Sequence, residues 1–488
     1  MTRRLEELRW DNSFSRLPET FYQRVNPTPL PGARLVAFNP EAAGLLDLDP
    51  GEAGRPDFVP LLTGERGIPG TTPLAAIYAG HQFGVWVPQL GDGRAILLGE
   101  VVNSRGERWD VQLKGSGLTR FSRMGDGRAV LRSTIREYLG GEAMHGLGIP
   151  STRSLAIIGS DEPVFRESVE TGAILVRLAP THVRFGSFEV FASRGMTEEV
   201  RLLADHVIDH HFPHLLVFPA SERYGAWLRE VMERTAELMA RWTAVGFTHG
   251  VLNTDNMSIV GLSLDYGPYG WIDQYDRGFV PNHSDPAGRY AFDQQPIVGL
   301  WNCARLAESL QTVVTTEQAM SALDAYRGAF TRSFDDQFRA KLGLERPASD
   351  DAQLISQLLG ALHDRGIDYT RFFRALALYP ERGRPAFDGV VDEPGALLPW
   401  LERYDARLAR DAADPVVRSR RMLQINPAFV LRTWMAQEAI ADAQDGNFAT
   451  IERLRALLAE PFTEHPDLER YAGRPPEWAT TIALSCSS

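Results

Sequence analysis

The spacing of apolar residues changes part-way along the chain. Between residues 76 and 190 it is mostly strand-like. Ala95 to Val102 and Arg108 to Lys114 form apolar or alternating runs, and Asn103-Ser104-Arg105-Gly106-Glu107 between them carries a hairpin-turn signal. Ser154 to Gly159 and Ile174 to Leu178 predict further strands. Arg128 to Leu147 is the helical exception, with Val130, Leu131, Ile135, Leu139 and Met144 near helical spacing. Beyond about residue 200 the helical period takes over. Tyr224 to Val245 places Trp227, Val231, Leu238, Met239 and Trp242 on one side, and helical signals dominate from Ile297 onward. Residues 1–75 are Pro-rich without a sustained period, which predicts an irregular extension over the surface. There are no internal repeats and no low-complexity tracts. The pattern predicts an α+β fold: an extension over 1–75, a β-rich lobe over 76–190 and a mostly helical lobe over 191–488.

Composition narrows the class. At 488 residues, with 44% hydrophobic and 23% charged content, the chain has the make-up of a soluble globular protein with ample core. A net charge of −12 argues against a general nucleic-acid or anionic-membrane binder. The opening MTRRLEELRWDNSF has no apolar run of signal-peptide or membrane-span length, so a cytoplasmic address is expected. Two cysteines, Cys303 and Cys486, make no zinc pattern. Cys303 in LWNCARLA reads as a buried helical position. Cys486 in a polar tail reads either as an incidental exposed thiol or as a redox handle that could pair with Cys303.

Candidate chemistry concentrates in Thr248 to Gly267, THGVLNTDNMSIVGLSLDYG. It resembles the protein-kinase loop H-R-D-x-x-x-x-N followed by D-F-G, in which the Asp takes a proton while the Asn and second Asp hold magnesium. His249 and Asn256 stand at the kinase spacing and Asp265-Tyr266-Gly267 follows, but Val251 replaces the catalytic Asp and accepts no proton. Metal and nucleotide binding without ordinary phosphotransfer is the implied chemistry, in a two-lobed kinase-like architecture.

Lysine usage points the same way. Of 51 basic residues only Lys114 and Lys341 are lysine. A retained lysine hints at a site that needs a compact ammonium. Lys114 ends the strand Val111-Gln112-Leu113-Lys114, like the phosphate-binding lysine of kinases, whereas Lys341 fits chance survival. Glu137, in the following helix, is a candidate partner for Lys114. Gly91-Asp92-Gly93-Arg94 precedes the first strong strand, as a phosphate loop or a plain turn would. Ser122 to Arg128, containing Asp126 and Gly127, precedes a helix and reads either as an anion cradle or as a cap by Asp126. Arg177 and Arg184, in or near an apolar strand, need anionic partners, either phosphate or structural. Asp255 and Asn256 are adjacent and on an extended loop would face opposite ways. Asp273 and Asp276 read as solvated loop charges. His206, His210, His211 and His214 read as a polar helix end rather than a zinc site.

Assembled, these motifs resemble the selenoprotein O family of pseudokinase-like protein adenylyltransferases. The likeness runs nearly end to end. It takes in DNSFSRLPETFY, YAGHQFGVWVPQLGDGRAILLGE, VQLKGSGLTRFSRMGDGRAVLRSTIREYL, THGVLNTDNMSIVGLSLDYGPYGWID, NPAFVLRTWMAQEAI and PPEWATTIALSCSS. The resemblance implies transfer of AMP from ATP, bound in reversed orientation, to Ser, Thr or Tyr hydroxyls of proteins, with pyrophosphate released. It implies Asp255 as proton acceptor, Asn256 and Asp265 as ligands of Mg2+ or Mn2+, and Lys114, Arg177 and Arg184 on the phosphates. Gly91, Gly93, Arg94, Asp126 and Gly127 would complete the nucleotide site, with Glu137 positioning Lys114. Cys486 stands where animal members carry selenocysteine. Some bacterial relatives pair this cysteine with one in the region GFVPNHSD, where this chain has Pro281. A monomer without membrane or nucleic-acid partners is expected. UMP transfer from UTP with manganese is one alternative, and an inactive ATP-binding module is another.

Overall fold

A computed structural model describes residues 2–485. Its strands are β1 (Tyr22–Arg24), β2 (Arg34–Phe38), β3 (Leu74–Ala76), β4 (Gly80–Gln82), β5 (Val85–Val87) and β6 (Ala95–Val102), then β7 (Arg108–Lys114), β8 (Ala129–Val130), β9 (Arg153–Phe165), β10 (Val169–Ala179), β11 (Phe247–Thr248) and β12 (Gly270–Trp271). Seven of them form one path, β1-β3-β6-β7-β10-β9-β2, with β8 joined to β10 and every neighbouring pair antiparallel. Register decides what each face carries. Gln112 lies opposite Arg177 and Lys114 opposite Leu175, so Gln112, Lys114 and Arg177 share one face. The intervening Val111, Leu113, Ile174, Val176 and Leu178 share the other, which is apolar.

That apolar face is covered by the first 75 residues. Helices α1 (Pro40–Leu45) and α2 (Phe58–Thr63) bury Ala42, Ala43, Phe58 and Leu62 with Leu5 and Leu48 against Val111, Leu113 and Val176. The irregular surface extension expected here is therefore corrected. The segment supplies both edge strands of the sheet, β1 and β2, and half of a core. Strands and helices of three to six residues between prolines are too short to show a period.

On the charged face lies α3 (Leu131–Gly146), which is shorter than the predicted helix because Ala129 and Val130 pair with β10 instead. The chain then turns helical: α4 (Gly186–Ala192), α5 (Thr197–His211), α6 (Ala220–Val245), α7 (Gln295–Ser309), α8 (Thr316–Lys341), α9 (Asp351–Asp364), α10 (Tyr369–Arg382), α11 (Leu398–Leu408), α12 (Pro415–Leu423), α13 (Thr433–Gln444) and α14 (Ala449–Ala459). The last two pack on α3, so the C-terminal region also braces the sheet lobe. Among the described residues no helix is long and apolar enough to cross a membrane.

One surface assignment changes on folding. Asp273 is not a free loop charge: it pairs with buried Arg432, which also holds Asp368 at 2.9 Å. Asp276 does sit exposed, capping Gly278 N–H at 2.9 Å. Lys341 is buried with its ammonium 4.1 Å from the Phe373 ring centroid and 5.3 Å from that of Tyr369, and burial holds its pKa down to about 7.

Inside the sheet lobe, Glu100 on β6 lies directly opposite Asp110 on β7. Glu100 accepts hydrogen bonds from Ser13 backbone and hydroxyl, and Asp110 from His182 N–H at 2.8 Å. Burial pushes Glu100 up to about 7 and Asp110 up to about 8, with Asp110 adding to the Glu100 shift. Both folded values exceed the unfolded ones, so the protonated pair contributes fully below about pH 4. That contribution is lost progressively as pH rises from about 4 to 8, with full ionisation costing on the order of 3 to 6 kcal/mol per group. Melting temperatures measured from pH 5 to 9 are expected to fall across this window in the wild type. Glu100→Gln is expected to flatten the fall; equal slopes would remove the pair as its cause.

Candidate active site

The charged face of the sheet, α3 and the loop after β11 enclose a cavity of about 640 Å3. Five ionised side chains alternate in sign through it. Lys114 Nζ lies 2.5 Å from Glu137 Oε2, whose other oxygen accepts from Arg177 Nε at 2.5 Å. Arg177 Nη2 reaches Asp265 Oδ1 at 2.5 Å, and Arg184 Nη1 reaches Asp265 Oδ2 at 2.6 Å. Arg177 also donates to Gln112 Oε1 at 3.2 Å, the residue opposite it in the sheet.

Burial sets the electrostatics. Desolvation alone would raise Glu137 and Asp265, but adjacent cations outweigh it and hold Glu137 below, and Asp265 well below, the usual carboxylate range. Burial, with Arg177 nearby, pulls Lys114 down to about 8. Asp265 adopts φ of 58°, a conformation uncommon for a non-glycine residue, and its two arginines pin it there.

The segment is not extended but a 3-10 turn, Thr254–Asn256. This turn brings Asp255 and Asn256 to the same cavity, which the sequence left open. Asn256 Nδ2 donates to Val251 O at 2.8 Å, which leaves its amide oxygen for another partner. Asp255 is buried; burial raises its carboxyl to about 7, and Gln82 Nε2 holds Oδ2 at 3.1 Å. Its Oδ1 has no hydrogen-bond partner among the described residues. Arg184 donates to the Asp255 carbonyl at 2.8 Å, fixing this turn relative to Asp265.

Gly91, Gly93, Arg94, Asp126 and Gly127 line the cavity as well. A side chain on Gly93 would approach Phe121 O to 2.8 Å, so close packing already requires glycine there. The Asp126 turn neither caps α3 nor abuts its N-terminus, because β8 intervenes. Asp126 instead accepts from Arg128 N–H at 2.9 Å and pairs with Arg166 at 2.6 Å. Cys303 is fully buried in α7 and burial raises its thiol, so it is no exposed redox partner. Cys486 lies outside the described residues. Leu484, two positions before it, bridges to Asn282, beside Pro281. Of the histidine run, His206 and His210 meet edge-to-face with centroids 4.8 Å apart, while His214 turns to Glu230 at 2.7 Å.

Sequence reasoning missed the β4–β5 turn. His81 N–H donates to Thr254 Oγ1 at 2.7 Å, Gln82 reaches Asp255, and Phe83 N–H donates to Asn253 Oδ1 at 3.1 Å. A side chain on Gly80 would sit 2.8 Å from Asp255 Oδ1. The available signal was the glycine followed by His81 and Gln82, polar residues in a two-strand hairpin. Tyr78, whose ring lies 4.6 Å from the Arg184 guanidinium carbon, and Arg166 had no local signal.

Comparison with known proteins then decides the class: the model of the family described as protein adenylyltransferase SelO matches residues 4–459. The chain belongs to the SelO family. Among similar proteins, the one named protein nucleotidyltransferase YdiU from Myxococcus xanthus is 55% identical, covering 99% of each chain. Proteins of the same name from Thioalkalivibrio sulfidiphilus and Thiobacillus denitrificans are each 52% identical over 99% of this chain and 100% and 99% of theirs. As a SelO member the chain is an enzyme, a nucleotidyltransferase whose co-substrate is a nucleotide.

Loss of the Glu137 charge would strand two buried cations, Lys114 and Arg177. Glu137→Gln is expected to lower unfolding free energy by about 3 kcal/mol in urea. An unchanged midpoint would show that the two cations do not depend on it.

Proposed function

We propose that this enzyme transfers AMP from ATP to Ser, Thr or Tyr hydroxyls of proteins, on a kinase-like two-lobed scaffold with ATP reversed relative to kinases. The observation that carries this is the pairing of Val251 with Asp255. Both line the cavity; the first cannot take a proton, and the second has an unpartnered buried oxygen beside the phosphate-type cations. On this reading residues 76–190 form the nucleotide-gripping lobe, braced by 1–75, and 191–488 the catalytic lobe.

The roles follow from the contacts. Lys114, Arg177 and Arg184 bind the β- and γ-phosphates, where their charge stabilises pyrophosphate as it leaves. Asn256 and ionised Asp265 suit Mg2+ or Mn2+, being hard oxygen donors on one wall. Among the described residues no three His, Cys, Asp or Glu side chains gather as metal ligands, so this pair would share the ion with phosphate oxygens and water. Such an ion would neutralise phosphate charge. The target hydroxyl oxygen bonds to the α-phosphorus, the bond from that phosphorus to the bridging oxygen breaks, and the hydroxyl proton passes to Asp255 Oδ1. Gln82 and the Arg184 contact hold Asp255 in place for that step.

Incubation with ATP labelled at the α- or γ-phosphate and a bacterial lysate is expected to label protein from α only. Label from γ would make the enzyme a kinase and overturn the reading; label from neither would leave a binding module. UTP labelled at the α-phosphate, run with manganese, settles the base preference. Asp265→Ala is expected to reduce transfer at least ~100-fold, because it removes the metal ligand and unpairs two arginines. Lys114→Arg, which keeps the charge but not the compact ammonium, is expected to cost ~10-fold or more in kcat/KM; full activity would show that a guanidinium serves equally well.

A further inference from the structure

A second depression of about 980 Å3 opens beside the cavity, and Phe83 lines both. Its walls are the loop from Gly278 to Ala291 and the first turns of α7. Two features of it have no role inside the fold. Ile297, on the outer side of α7, is 65% exposed. Arg289 has no carboxylate partner among the described residues, although 63 acidic side chains are available to the chain.

The geometry of Arg289 is fixed nonetheless. Its guanidinium carbon lies 4.7 Å from the Trp301 ring centroid and 5.8 Å from that of Tyr290. Its other side meets Gly84 in the β4–β5 turn, where a side chain would come within 3.1 Å of the guanidinium carbon. Tyr290 links this wall to the catalytic turn: its hydroxyl donates to Asn253 Oδ1 at 2.6 Å and accepts from Phe83 N–H at 2.9 Å. Of the two acids in the groove, Asp285 is occupied by the N–H groups of Arg289 and Tyr290, at 3.0 and 2.7 Å. Asp293 remains exposed at the rim and accepts from Gln294 at 3.0 Å. The groove therefore presents a held, carboxylate-free guanidinium and an exposed branched apolar side chain, joined through Phe83 to the cavity containing Asp255.

Building on the transfer reading above, we infer that this groove docks the target protein. Its occupant is an extended segment with an acidic side chain for Arg289 and an apolar one for Ile297, flanking the hydroxyl presented to Asp255. An arginine fixed by stacking suits a carboxylate, because its planar fork is oriented before binding. Continuity with the cavity lets one segment occupy both.

The test uses the full chain, ATP labelled at the α-phosphate and two peptide libraries. Each peptide carries a central Ser, Thr or Tyr and one Leu or Ile; one library has Asp or Glu in the flanks, the other Lys or Arg. The wild type is expected to label the acidic library about fivefold better, through KM. Arg289→Glu is expected to reverse the preference, a gain on basic peptides that damage to the fold cannot produce. Arg289→Gln should abolish the preference without reversing it, and Ile297→Asp should raise KM for both libraries. Equal labelling by the wild type, or a preference unchanged in Arg289→Glu, overturns the docking inference and leaves AMP transfer standing. No α-label on lysate proteins or peptides removes both. A dimer in sedimentation that Ile297→Asp dissociates would assign the face to a second copy and also overturn it.

Discussion

The arrangement of this molecule depends on an alternating line of charge: Lys114, Glu137, Arg177, Asp265 and Arg184. Each member is at least partly removed from water, and each would be costly there alone. Alternation resolves this, because every acid touches two cations. The line joins five separate pieces of the chain: β7, α3, β10, the segment just past β10 that carries Arg184, and the loop at Asp265. Sheet register makes it possible. Gln112 and Lys114 share a face with Arg177 because β7 and β10 are antiparallel in this pairing, and a slip by one residue would bury the charges in the apolar layer.

A second constraint works across the cavity. The β4–β5 turn reaches the turn at Asp255 through His81, Gln82 and Phe83, and each of these contacts falls on a different residue from Asn253 to Asp255. Gly80 lets the strand come that close. The Asp255 carboxylate is thus positioned from outside its own loop, and burial there raises its pKa.

Elements with an internal period were legible in the sequence. The bounds of β6 and β7 coincide with those predicted, and α6 extends the predicted helix by only one turn at its start. Residues 1–75 were illegible because β1 and β2, at three and five residues, derive their stability from neighbours distant in sequence. At the site, residue types pointed to the chemistry proposed: a lysine closing a strand, an Asn at kinase spacing with an Asp following at a shorter gap than in kinases, and arginines in apolar surroundings. What sequence could not show was direction. Whether Asp255 and Asn256 converge depends on a 3-10 turn, and the pairing of Asp273 with Arg432 joins residues 159 apart.

Replacement of nearly every lysine by arginine has a consequence for how the protein can be probed. Arginine does not react with amine-selective acylating reagents, so side-chain amines are confined to two positions. One, Lys341, is sealed between aromatic rings. The other, Lys114, stands in the cavity beside Asp265, paired with Glu137 and with its ammonium pKa drawn down to about 8. Apart from the N-terminal amine, acylation of the native chain therefore reports on one wall of one cavity, and a bound nucleotide would register as protection of a single residue.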